Sequence, residues 1–393
     1  MPQKDYTENL LGLKDVFVTK IEESEYEKHI FLECKLESQV CPHCHMETKR
    51  VHSYTLQVVK DTPIGAKPTL LHLHKRRYYC PHCGKTFLQK LPFLKRYQRY
   101  TQRLMANVIN QFKTSYSTKS IAKMNNISIG TAFRILDKIQ YPQPRLSKVI
   151  AIDEFKGNAG RKFQCILTNP SERQVLDILP AKLTTMLELY FLSFSRAERE
   201  KVELVVMDMS EQFADIATTC FPKAKIVVDK FHVCRHVTWA LESVRKEVQE
   251  SLSDEKRKWF KRSRFILLKR SEDLNEEEIN KLTVMLSYSE DLRWAYYSKE
   301  KFYEFMKSNS YEEAAIKYHN WRIATIPSGL SRFLKCCEMF EKRKEQILRA
   351  FENGYTNGYT EGCNNKIKVL KRNCYGVRNF DRFRNRILHM MSA

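Results

Sequence analysis

Three short apolar runs, each closing on an aspartate, restrict this chain more than any other feature. Val149–Ile152 leads into Asp153, Val202–Met207 into Asp208, and Lys225–Val228 into Asp229. Runs this short and this rich in Val and Ile suit strands covered on both faces. A carboxylate where such a strand leaves the core can hold a divalent cation away from bulk water. Aspartate is also a common turn residue, so the strand ends alone leave a metal site and an ordinary turn equally open.

The surrounding pattern gives these strands an order. Lys162–Leu167 and Arg173–Leu179 read as two further strands about the turn Asn169-Pro170-Ser171, and helices are expected over Leu183–Phe194 and Glu211–Cys220. The order βββαβαβ is that of a ribonuclease-H-like sheet. There the first and fourth strands are neighbours, which would bring Asp153 and Asp208 together.

Two copies of Cys-Pro-His-Cys, at Cys41–Cys44 and Cys80–Cys83, are separated by 35 intervening residues. Two Cys-x-x-Cys turns supply the four thiolates of a closed, tetrahedral zinc site, and a closed site is structural. A single redox dithiol would not need two such turns. Before the first pair, residues 15–36 alternate as a hairpin. Between the pairs, Thr69–Tyr79 reads as a strand with a basic, aromatic end, equally suited to phosphates and to solvent.

A helix-turn-helix follows. Leu104, Met105, Val108, Ile109 and Phe112 share one face of a helix over Thr101–Lys113, Ser120–Met124 forms a second, and Asn125–Ile127 makes the turn. Ser128 would cap a third helix running to Ile139. Its Ser128, Ile129, Gly130, Thr131, Phe133 and Arg134 would face a major groove, with Ser128, Thr131 and Arg134 as the polar readers.

The chain of 393 residues carries a formal net charge of +22, which favours a polyanionic partner such as nucleic acid. No apolar run approaches the length of a membrane span, and Met1–Leu11 is too polar for a secretory signal. Twelve cysteines without such a signal indicate a reducing compartment and so a cytoplasmic protein, and a DNA partner would make it nucleoid-associated. From Phe231 the chain reads as helices, dense in Lys and Arg over Arg245–Arg270, and Trp259 or Trp294 there can pack in the core or stack on an unpaired base. Near the end, Thr360 would cap a helix whose polar stripe holds Glu361, Asn364, Asn365 and Lys368. A first-turn carboxylate there can complete a metal site with Asp153 and Asp208, or simply answer the helix dipole.

Taken in order, the paired knuckles, the helix-turn-helix, Ile152-Asp153-Glu154-Phe155, Val206-Met207-Asp208-Met209, Asp229-Lys230-Phe231-His232, Thr356-Asn357-Gly358 and the run Glu361–Lys368 resemble bacterial insertion-sequence transposases of the ISL-three family. The resemblance implies an α/β, ribonuclease-H-like DDE core with a helical insertion, behind a zinc-ribbon-like domain and the helix-turn-helix. It implies Asp153, Asp208 and Glu361 as catalytic ligands of Mg²⁺ or Mn²⁺. Asp229, His232, Asn365 and Lys368 would support them, although Asp229 also competes with Asp208 for the second position. Expected domains are 1–95 (zinc), 96–145 (helix-turn-helix), 146–230 (core, first part), 231–350 (insertion) and 351–393 (core, C-terminal helices). The partners implied are double-stranded DNA, as terminal inverted repeats and target, and at least one further copy of the chain. The activity implied is cleavage and strand transfer of an insertion sequence. The competing reading is a DNA-binding regulator with an inactive core.

Overall fold

The computed structural model describes residues 11–13, 16–157, 161–352, 354–375 and 377–392; the expectations for Met1–Leu10 and Asn353 and for the Trp259 side chain fall outside the described residues. The chain forms two compact units, residues 1–142 with 367–393, and residues 143–366. The sequence instead placed all of 351–393 with the core. Among the described residues, no helix is long and apolar enough to cross a membrane.

In the first unit, β1 (Val16–Glu23) and β2 (Lys28–Cys34) form the expected hairpin. After the short strands β3 (Gln39–Val40) and β4 (Glu47–Thr48) come β5 (Val51–Ile64) and β6 (Lys67–Tyr79), a long antiparallel hairpin, and then β7 (Thr86–Leu88). The sheet order is β1-β2-β6-β5, with β7 on β6. Gly65 and Ala66 both take positive φ at the β5–β6 turn, the backbone that a two-residue hairpin with right-handed twist requires. Arg76 on β6 donates to the carbonyls of Cys34 and Lys35, so this part of the basic strand end is used in folding.

Helices Gln102–Gln111, Thr118–Met124 and Ile129–Leu136 close around Leu104, Val108, Phe112, Ile121, Ala122, Ala132, Ile135 and Leu136. The turn holds because Asn126 accepts φ +51° and because buried Asn125 donates to the Ile121 carbonyl. The last helix, Phe380–Met391, belongs to this unit. Arg382 pairs with Asp137, Arg386 donates to the carbonyls of Thr114 and Tyr116, and His389 meets the carbonyl of Ile109.

In the second unit, β8 (Val149–Lys156), β9 (Phe163–Asn169), β10 (Gln174–Leu179), β11 (Leu204–Met207) and β12 (Lys225–Val228) form one sheet, ordered β10-β9-β8-β11-β12. β8, β9 and β10 are antiparallel, while β11 runs parallel to both β8 and β12. One face packs Ile150, Ile152, Leu167 and Met207 against helices Thr184–Leu192 and Glu211–Cys220. The other packs Val149, Ala151, Val206 and Val227 against Ala350 and Tyr355. β8 runs past the expected end at Ile152, because β9 pairs with it from Ala151↔Thr168 to Lys156↔Phe163. Asp153 therefore lies inside a strand. The helical insertion, from Lys230 to Phe351, builds its own core around Phe302, Phe305, Trp321, Phe333 and Phe340.

Candidate active site and metal centres

The zinc site follows from the β5–β6 hairpin. One knuckle precedes β5 and the other follows β6, so the pairing that puts Val51 opposite Tyr78 returns the chain to its starting point. Each knuckle closes with the same backbone bonds. The N–H of Cys41 donates to Met46 and that of Cys80 to Lys85, while His45 and Gly84 donate to Cys41 and Cys80 from positive φ. Four thiols converge: Cys41 and Cys83 lie 3.7 Å apart, and Cys44 and Cys80 lie 3.5 Å apart. A tetrahedron with Zn–S of about 2.3 Å has edges of about 3.8 Å, whereas a disulfide needs about 2 Å. The donor set fits structural zinc and excludes the disulfide.

The acidic site lies on the face of the second sheet that carries Val149, Ala151 and Val206. The parallel ladders pair Val206 with Ala151 and with Val227. Those ladders end at Ala151 and Val228; carried two residues on, the same register makes Asp153, Asp208 and Asp229 neighbours, and the charge of Asp208 reaches Asp153. Alternation along each strand turns the three carboxylates to one face. Asp229 ends its strand and begins the helix Lys230–Ser251, whose first turn supplies His232.

Helix Gly358–Asn373 borders the row. Thr360 does not cap it as expected but lies within it, its hydroxyl 2.8 Å from that of Thr168. One turn later, Asn364 Nδ2 donates to Asp153 Oδ2 at 2.8 Å. Ahead of the helix, the Asn357 N–H donates to Asp229 Oδ1 at 3.0 Å. Glu361 is exposed in the first turn, and Lys368 lies two turns further along the same helix.

Electrostatics ties these groups into one cluster. Burial pushes the Asp153 carboxyl up to about 6; the Glu154 N–H and His232 oppose this, and the charges of Asp208 and Glu154 add to it. Burial also raises Asp229, against the Asn357 N–H and His232, and Glu361 raises it further. Buried acids with raised affinity for protons are sites short of positive charge. Buried polar atoms around them are also unsatisfied: both side-chain polar atoms of Asn357 and the Oδ1 of Asn364 lack hydrogen-bond partners.

Among the described residues, only the cysteines form a group of three or more potential ligands within 4.8 Å of one another; Asp153, Asp208 and Glu361 are more widely spread. Donors on opposite sides of two ions about 4 Å apart stand up to about 8 Å from each other, so a spread beyond 4.8 Å does not exclude a shared pair of cations.

In the helix-turn-helix, Ser128 caps the third helix through the N–H of Thr131. Ser128, Ile129, Gly130 and Arg134 are exposed and Thr131 is half-buried. Phe133 departs from the expected groove-facing set: it packs on the small core, and the Arg382 guanidinium lies over its ring at 4.7 Å.

Comparison with known families places the chain. Residues 150–387, more than half of the chain, match the ISL3 family of DDE proteins described as transposase. The chain belongs to the ISL3 family of transposases. Residues 37–83 match the zinc finger of transposases IS204/IS1001/IS1096/IS1165, and residues 89–140 match the helix-turn-helix domain of transposase family ISL3. The chain is 26% identical to the transposase for insertion sequence element IS1001 of Bordetella parapertussis over 363 residues, covering 90% of this chain and 89% of that protein. It is 21% identical to the transposase for insertion sequence element IS1557 of Mycobacterium tuberculosis over 349 residues, covering 80% of this chain and 77% of that one.

As an ISL3 transposase the chain is a DNA-binding enzyme with a structural zinc ribbon, and its DDE domain implies catalysis with a divalent metal. Two residues near the acids escaped the sequence reading. The sequence places Asn364 only in a polar stripe and favours Asn365 as the supporting amide, yet Asn364 holds Asp153. Asn357 stands out in the sequence only as part of the motif Thr356-Asn357-Gly358. The signal available for both was position: each lies one helical turn from Glu361, on either side.

Proposed function

We propose that Asp153, Asp208 and Glu361 hold two Mg²⁺ or Mn²⁺ ions in a ribonuclease-H-like core, and that this site cuts the ends of an insertion sequence and joins them to target DNA. The observation that carries the reading is the register of β8 and β11, which makes Asp153 and Asp208 neighbours on one face. Glu361, exposed on the helix bordering that face, is the third ligand. The bound ions would lower the pKa of the attacking water or 3′-hydroxyl and neutralise the leaving oxygen.

The protein's own groups prepare that chemistry. Asn364 fixes one oxygen of Asp153, leaving the carboxylate to point at the cations. Asp229 and His232 act as supports: Asp229 is engaged by the Asn357 N–H and anchors the loop ahead of Glu361. Lys368 shares the helix with Glu361 and is placed to contact the DNA backbone. Ser128, Thr131 and Arg134 read the terminal inverted repeats. Two ends must be paired, so the active complex contains at least two copies of the chain.

The test compares Asp208→Asn with Asp229→Asn on duplexes of the DNA ends that flank the gene. Asp208→Asn is expected to abolish Mg²⁺-dependent cleavage while retaining binding. Full cleavage by Asp208→Asn, with cleavage lost only in Asp229→Asn, would move the second ligand to Asp229.

A further inference from the structure

We propose that a groove along helix Lys230–Ser251, beginning beside the acidic row, binds an unpaired nucleobase of the DNA strand being cut. This inference rests on the cleavage reading above.

Phe231, Arg235 and Trp239 recur every four residues on that helix and form one stripe on its outer side. Phe231 is 53% and Trp239 51% exposed, although the same helix buries Val233, Val237 and Leu241. Two large aromatic faces left in water beside a packed core call for an occupant. The stripe walls a cavity of about 380 Å³, closed on its far side by Tyr303 and Arg264. That volume lies in the range of small-ligand sites and has room for a base with its sugar.

The charge identifies the class of occupant. The Arg235 guanidinium lies over the Trp239 ring, 4.4 Å from its centre, so a cation covers one face of the indole, and a base can stack on the guanidinium plane or on the ring surface left exposed. Bases stack on both kinds of surface regardless of sequence, and guanidinium groups take phosphate. The acid on the lining, Glu242, does not repel a phosphate, since it is held by Arg245 and faces Arg264 at 4.0 Å.

Position completes the case. Phe231 precedes His232, and their rings meet edge to face at 5.7 Å. Trp239 is two turns further on, about 12 Å along the axis, or three to four nucleotides at about 3.4 Å each. An unstacked base in the groove therefore lies within about four nucleotides of the phosphate at the acids. Unstacking there would loosen the duplex where the strand must enter the site.

The experiment is a cycle between Trp239→Ala and DNA ends made abasic at one position at a time, up to four nucleotides either side of the cut. On an intact end, Trp239→Ala is expected to slow cleavage by about 5- to 150-fold, as the loss of one stacked base would. On the end lacking the bound base, the two proteins should differ by less than about 2-fold, and Trp239→Phe should retain most activity on the intact end. Wild-type rates for Trp239→Ala on intact ends, or the same loss at every abasic position, would overturn the proposal. Equal loss on all ends with a lowered melting temperature would do so too, by making Trp239 a folding residue. Asp208→Asn is run in parallel: cleavage by that protein would defeat the assignment of the acids and leave the groove to be judged on the cycle alone.

Discussion

Replacing Asn364 with alanine isolates what one amide does for the acidic row. The side chain is 5% exposed and donates to Asp153 at 2.8 Å, from the interior of a helix that tolerates alanine well. A hydrogen bond to a charged group contributes about 1.5–3 kcal/mol. At about 1.4 kcal/mol per pKa unit, its loss raises Asp153 by about 1–2 units. Burial already sets that carboxyl at about 6, so the variant should stand near 7–8. Protons and metal compete for the same oxygens. At limiting Mg²⁺ and about pH 7, cleavage should therefore fall roughly 2- to 10-fold, recovering to near the wild-type rate by about pH 9. The assay is a pH–rate profile of end cleavage for both proteins at one sub-saturating Mg²⁺ concentration. A variant whose acidic limb coincides with that of wild type, or whose loss is the same at every pH, would refute the argument.

The metal-free protein should show the stability counterpart. Asp153 is raised when folded, from 3.8 to about 6, so its favourable contribution is complete below about pH 4 and is lost as pH rises through about 6. The loss amounts to roughly 3 kcal/mol, and Asp153→Asn should flatten that part of a denaturation–pH curve. Cys44→Ser removes one of four converging thiols; zinc content by metal analysis should drop, and unchanged zinc would contradict the four-thiolate site. Arg134→Ala deletes an exposed cation on the third helix of the helix-turn-helix and should lower end binding and reduce the slope of log affinity against log salt by about one. An unchanged affinity and slope would remove Arg134 from the interface.

The parts of this molecule that were legible in its sequence are those set by short-range chemistry. Cys-x-x-Cys pairs need only a hairpin to meet, and the β5–β6 hairpin supplies it. Val-rich runs closing on aspartate became β8, β11 and β12, with β8 beside β11 as expected. What escaped depends on pairing and packing across the chain. β8 continues to Lys156 because β9 pairs with it, so Asp153 sits within a strand and not at its end. Thr360 looked like a helix cap, but a partner 192 residues away, Thr168, holds its hydroxyl inside the helix. Phe133 looked like a reading residue until Arg382, from the last helix, covered it. That helix lies in the first unit because Arg386 and His389 find their carbonyl partners there, a pairing that no local pattern announces.

Magnesium-binding carboxylates are best tested by locating the ions themselves. Anomalous diffraction from crystals of the protein with a DNA end and Mn²⁺ should place manganese against Asp153 and Asp208, with Glu361 as the third protein ligand. Manganese bound elsewhere, with these three side chains in contact only with water or one another, would contradict the account.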